Sequence, residues 1–183
     1  INKLPLGLKI KVKNDIKTIV KNKKNFSNLN FKIIPNIMGI LNLTPDSFSD
    51  GGKYNKKNIG YKHAFNLFKT GAHIIDIGGE STRPGSKNIS KKLEWKRIKE
   101  TLSRIDKNIP LSLDTRKSDI MEKGIKSGVR LINDISGLTY DSNTIKILKK
   151  YNTPFVIHHS QGTPETMQKN PKYKNVLLDV YDY

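Results

Sequence analysis

At 183 residues and a net charge of +18, the chain is long enough to bury one core and too short for several. It has no cysteine, which excludes disulfides, thiol nucleophiles and cysteine-bound metals; no apolar run reaches the ~18 residues of a membrane helix, and no charged start leads into an apolar block as in a signal peptide. Only five of the 34 basic residues are arginine and the lysines are scattered among many Asn and Ile, a composition that an AT-rich genome gives without any function, or that makes a field for phosphates, pyrophosphates or nucleic acid.

Residues 1–36 read as a basic leader with Lys-rich stretches such as 21–25 and no glycine after Gly7. One short helix is expected there, over Asp15–Val20. Because the first residue is Ile1 rather than Met, a native start further upstream is expected, and a soluble cytoplasmic protein is the default. From Ile37 onward five short apolar runs recur: 37–41, 73–77, 110–113, 129–132 and 154–157. Their length and β-branched content suit buried strands.

Helical spacing fills the gaps. Ala64, Leu67 and Phe68 form a stripe stopped by Gly71, and Ser90 can cap a helix carrying Trp95, Ile98, Leu102 and Ile105. Ile120, Met121, Gly124 and Ile125 precede Gly128 in the same manner, and Ile145 and Leu148 follow the candidate caps Ser142 and Asn143. Strand alternating with helix predicts a parallel sheet of βαβ units, open or closed into a barrel.

Each apolar run ends in a polar cluster, where the active sites of such sheets gather. The clusters are 42–46, 78–83, 114–117, 133–134 and 158–161. Asp114 reads either as a helix N-cap or as a fixed carboxylate able to bind a ring N–H or steady a developing cation. Asn133 reads as a turn residue or as an amide for the edge of a heterocycle. Asn42 is a turn residue or a hard oxygen ligand for Mg²⁺. Two Gly-bearing polar loops, 46–52 and 78–85, suit covering a substrate, and Arg83 stands in one of them as a rare arginine. Of His158 and His159, one reads as a core histidine and the other as facing the pocket. No zinc spacing, G-x-G-x-x-G, P-loop or G-x-S-x-G elbow occurs.

The stretch Ile37–Gly52 resembles the first signature of the dihydropteroate synthases, and Gly71–Gly85 the second. Leu113-Asp114-Thr115, Ile132–Gly137 and His159–Gln168 resemble further segments of that family. The resemblance runs from Ile37 to the end and implies a TIM (β/α)8 barrel, here truncated to about its first five βα units. It also implies a reaction: p-aminobenzoate displaces pyrophosphate from 7,8-dihydropterin-6-ylmethyl pyrophosphate, with Mg²⁺ as cofactor. On that resemblance Asn42 is the metal-associated residue, and Asp114 and Asn133 hold the pterin, Asp114 also steadying a cation-like methylene. Phe48, Ser81, Thr82, Arg83 and Pro84 shape the p-aminobenzoate site, with Thr82 and Arg83 also near pyrophosphate. Sulfonamides are expected to compete there, and the whole enzyme is expected to be a homodimer.

Ser160 departs from the pattern, replacing a Met that packs on the pterin ring. A complete barrel needs roughly 250 residues. The piece alone is therefore expected to be inactive and, with two open parallel edges, prone to aggregate. A corrinoid-linked methyltetrahydrofolate methyltransferase or an inactive truncated homologue is the alternative. A nucleic-acid module is disfavoured, because no aromatic-basic signature accompanies the lysines.

Overall fold

The computed structural model describes residues 5–21, 29–30, 35–44, 59–83, 86–162, 166–167 and 170–183. Five strands, β1 (Met38–Asn42), β2 (Ile74–Gly78), β3 (Leu111–Asp114), β4 (Leu131–Asp134) and β5 (Phe155–Ile157), form one parallel sheet in the order β1-β2-β3-β4-β5. Helices α2 (Gly60–Lys69), α3 (Lys91–Arg104), α4 (Ser118–Lys126) and α5 (Thr144–Tyr151) link successive strands, after α1 (Leu6–Ile19) and before α6 (Val176–Asp182). Every crossover reaches the next strand in line. That is barrel winding; a doubly wound sheet would reverse its order at a switch point. Among the described residues β1 and β5 are the two edges.

Alternation along the strands divides the sheet into two faces. Leu41, Ile75, Ile77, Leu111, Leu113 and Ile132 turn outward and pack with Ala64, Ile98, Leu102, Ile120, Met121 and Leu148 from the four linking helices. Trp95 lies against that same core, as its helical spacing predicts. The inner face carries Met38, Ile74 and Leu131 at its base, sealed by Leu29 from the N-terminal segment.

The helix ends follow local chemistry. Ser90 Oγ accepts from the Leu93 amide at 3.2 Å, the expected N-cap, and Gly71 (φ +114°) and Gly128 (φ +102°) follow α2 and α4 in the left-handed conformation that ends a helix without a Cβ penalty. Two expectations need correcting. The N-terminal helix spans Leu6–Ile19 rather than Asp15–Val20, starting behind Pro5, whose fixed φ suits a helix entry. No acidic residue or side-chain cap marks that start, which leaves Pro5 as its local sign. At α5 neither Ser142 nor Asn143 caps; Asp141 Oδ1 instead accepts the Asn143 amide at 3.0 Å. No described helix is long and apolar enough to cross a membrane.

Candidate active site

Asn42, Gly78, Asp114, Asn133 and Val156 are successive register partners across all five strands. One register row shares one face of the sheet, so residues far apart in sequence converge at the C-terminal ends. One row below, Ile40, Asp76, Ser112 and Leu131 are aligned in the same way. Gly78 separates Asn42 from Asp114, and a Cβ there would stand 3.2 Å from Asn42 Oδ1 and 3.6 Å from Asp114 Oδ2. The missing side chain lets Asn42 and Asp114 crowd in on the Gly78 backbone, an approach that a Cβ would obstruct.

The two readings of Asp114 now separate. Helix α4 begins at Ser118 behind Lys117, and its first amide is taken by Asp141 Oδ2 at 3.0 Å, so Asp114 caps nothing. Its Oδ1 is buried without a hydrogen-bond partner. Burial first, then the charges of Asp76, Glu94, Asp134 and Glu80, push its carboxyl up to about 8. Asn133 makes no turn either. The turn belongs to Asp134, which accepts from the Ser136 amide (2.8 Å) and hydroxyl (2.6 Å) and from the Leu138 amide (3.2 Å). That releases Asn133, whose Nδ2 donates to Asp76 Oδ2 at 3.0 Å.

Sequence reading passed over Asp76, which lies within the run Ile74-Ile75-Asp76-Ile77. The available signal was a carboxylate at a position of a fully buried strand. It is 4% exposed, its Oδ1 has no partner, and burial raises its carboxyl against the opposing effects of Ser112 and Asn133.

Beside these carboxylates lies a second polar cluster, also missed. Lys117 Nζ bridges Glu80 Oε2 (2.8 Å) and Glu94 Oε2 (2.7 Å), with every partner almost wholly buried. Arg116 Nε reaches Glu80 Oε2 at 3.1 Å, its Nη2 donates to Asn88 Oδ1, and Tyr140 lies over the guanidinium. Thr115 Oγ1 donates to Glu94 Oε1 at 2.5 Å, and the Ile89 amide to Glu80 Oε1 at 3.0 Å. Burial tends to raise the Glu80 carboxyl, but Lys117, the Ile89 amide and Arg116 outweigh it and hold it low. Two cations and two carboxylates balance. Together they tie the segment after β2, helix α3 and the β3–α4 turn into one block.

That block is the root of the loop bearing Ser81, Thr82 and Arg83, all half-buried beyond the end of β2. The loop is drawn in by Ser86, which donates through Oγ to Ser81 O (2.7 Å) and through its amide to Arg83 O (3.0 Å). Phe48 and Pro84 lie outside the described residues.

After β5, His158 is exposed, and His159 lies between the rings of Tyr173 (5.8 Å) and Tyr183 (4.7 Å, edge-on). Both nitrogens of His159 are buried without a hydrogen bond among the described residues, so of the two readings left open for this pair, a core histidine with satisfied nitrogens does not describe it. Ser160 is half-buried beside it, and Gln161 is folded back on the Lys172 backbone by two hydrogen bonds, of 2.6 and 2.9 Å.

Among the described residues no cluster of three or more His, Asp or Glu could hold a metal ion. A cage for a dehydrated cation is therefore not present among them. The donor chemistry does fit Mg²⁺ that keeps its waters and takes most oxygens from a phosphorylated ligand, because Asn42 offers one hard oxygen at the strand end beside Gly78.

The family profile described as pterin binding enzyme matches residues 38–183. The dihydropteroate synthase of Neisseria meningitidis serogroup B is 45% identical over 152 residues, which are 81% of this chain and 53% of that protein. The dihydropteroate synthase of Yersinia pestis, solved as a sulfonamide drug complex, superposes with a TM-score of 0.75 at 39% identity, over 81% of this chain and 54% of that one. The Burkholderia cenocepacia enzyme complexed with 7,8-dihydropteroate gives 0.71 at 35% identity, over 84% and 51%. The chain spans about half the length of the curated relatives it matches. A profile match that takes in all five βα units leads to one conclusion: this chain belongs to the family of pterin-binding enzymes.

Proposed function

We propose that the complete protein carrying this chain is a dihydropteroate synthase, joining 7,8-dihydropterin-6-ylmethyl pyrophosphate to p-aminobenzoate. The observation that carries this reading is the row Asn42–Gly78–Asp114–Asn133, in which a buried carboxyl with one unpartnered oxygen, and no paired cation among the described residues, lies beside an amide. A buried carboxyl pushed up to about 8 gains most from a ligand that brings N–H donors or positive charge. A pterin brings both as its methylene turns cation-like.

In this mechanism Asp114 binds the pterin ring and, with Asp76 beneath, supplies negative potential where positive charge develops. Asn133 fixes the ring edge. The methylene C–O bond breaks, pyrophosphate leaves with its electron pair, and the amine nitrogen bonds to the carbon and loses a proton. Thr82 and Arg83 are assigned to the departing pyrophosphate, and Ser81 with Phe48 and Pro84 to the p-aminobenzoate side. Arg83 presents the planar fork that phosphate oxygens favour. Mg²⁺, when bound, neutralises the pyrophosphate, and Asn42 is the residue that would hold it. The Ser81–Arg83 loop excludes water from the cation when it closes.

Sulfonamides, as p-aminobenzoate mimics, are proposed to compete at this loop. Homodimeric assembly and a cytoplasmic location are part of the same proposal, checked by light scattering and fractionation. Activity is assigned to the complete protein, in which the edges at β1 and β5 are paired.

The test is pyrophosphate release from the dihydropterin pyrophosphate, dependent on p-aminobenzoate and Mg²⁺. Asp114→Asn and Arg83→Lys are each expected to lower kcat/KM about 100-fold, the scale on which removal of a transition-state charge partner acts. No p-aminobenzoate-dependent release from the complete protein overturns the assignment.

A further inference from the structure

We propose that Asp76 is a positioning residue for ligand recognition: its buried carboxylate pins the Asn133 amide so that the amide oxygen is offered to the ligand. This rests on the reading of the site as a pterin pocket. An amide has two ends of nearly equal size, one accepting and one donating, and nothing in its shape decides which faces a ligand. A carboxylate resolves the choice because it only accepts. Asp76 Oδ2 takes the Nδ2 hydrogen at 3.0 Å across the width of β3, from one row below. Asn133 Oδ1 is thereby turned from Asp76, and no protein donor takes it among the described residues.

The inner face now has a fixed pattern. Asp114 and Asn133, register partners on neighbouring strands, both present acceptors, so the complementary ligand edge carries N–H groups opposite both. With Asn133 inverted, an NH2 group would face those hydrogens and repel them. A pterin's amino-substituted ring edge fits the first arrangement and not the second. The placement of Asp76 also accounts for a charged side chain in a strand whose other four residues are Ile, Ile, Ile and Gly, where a carboxylate is costly unless it directs something.

The test is binding of 6-hydroxymethylpterin monophosphate to the complete protein by calorimetry, with a double-mutant cycle. Asp76→Asn, nearly isosteric, is expected to weaken binding about 10- to 100-fold, the range for a hydrogen bond to a charged group. In an Asn133→Ala background the same change is expected to cost less than about twofold, because Asp76 acts through Asn133. Equal losses in both backgrounds, or none in the first, overturn the inference while leaving the pterin site standing. No binding by the unmutated protein overturns the site itself. Should Asp76→Asn not fold, hydrogen exchange decides in the native protein. A pinned Asn133 side-chain amide exchanges at least about tenfold slower than exposed Asn amides, and equal rates overturn the inference.

Discussion

Two buried clusters of carboxyl groups lie side by side at the C-terminal end of the sheet and behave in opposite ways. Glu80, Glu94, Arg116 and Lys117 neutralise one another, and the Glu80 carboxyl is held low. Among the described residues Asp76 and Asp114 pair with no cation and leave one oxygen each without a partner, and both are pushed up. The first cluster satisfies itself and fixes the loop roots, whereas the second is left incomplete, which is why it is the one proposed to meet a ligand. Buried charge is stable when paired and reactive when not.

The largest effect is expected from breaking the paired cluster. Lys117→Met leaves Glu94 without a cation in the interior, while Glu80 keeps Arg116, and is expected to cost about 3–5 kcal/mol, read by urea unfolding. Adding Glu94→Leu should return part of that loss, since removing both charges is far cheaper than removing one. If Lys117→Met is harmless, the cluster is not the brace described here.

Asp114→Asn tests the opposite case. The unfolded chain releases the Asp114 proton near 3.8, whereas the folded chain holds it to about 8, so ionisation costs stability as the pH rises between those values. The variant should match the unmutated protein near pH 3.8 and exceed its Tm by roughly 5 °C at pH 8, while losing activity. A gap that narrows with rising pH would contradict the assignment.

Gly78→Ala probes how closely Asn42 and Asp114 approach that backbone. Its Cβ would press on Asn42 Oδ1 at 3.2 Å, so a loss of about 1 kcal/mol in binding of the phosphorylated pterin is expected, with less in folding. Calorimetry and thermal unfolding separate the two. Glu100→Ala is the surface control. Glu100 pairs with Arg104 at 3.3 Å, but both are well exposed, and the expected cost is about 0.3 kcal/mol. A loss comparable with that of Lys117→Met would mean that burial is not what distinguishes the clusters.

Much of this was legible because strands and helices repeat short-range patterns. The runs 37–41, 73–77, 110–113, 129–132 and 154–157 each overlap a strand, four of which continue one or two residues further, to Asn42, Gly78, Asp114 and Asp134, and Gly71, Ser90 and Gly128 act at helix ends as their chemistry requires. The helix at Leu6–Ile19 escaped because it has no capping signal. The functions of Asp114 and Asn133 stayed divided between cap or turn and ligand contact, since a strand-end polar residue looks alike in both. It was Asp141 and Asp134, taking over the cap and the turn, that freed them.

The sequence by itself therefore determined the succession of βα units, the polar strand ends and, through two long motifs, the family. Only the tertiary structure decided which side chains meet. Asp76 and Asn133 are 57 residues apart, and Lys117 and Glu80 lie in different βα units. Their contacts depend on strand register, and register is fixed by the packing of the outward face on its helices rather than by any local preference of the residues concerned.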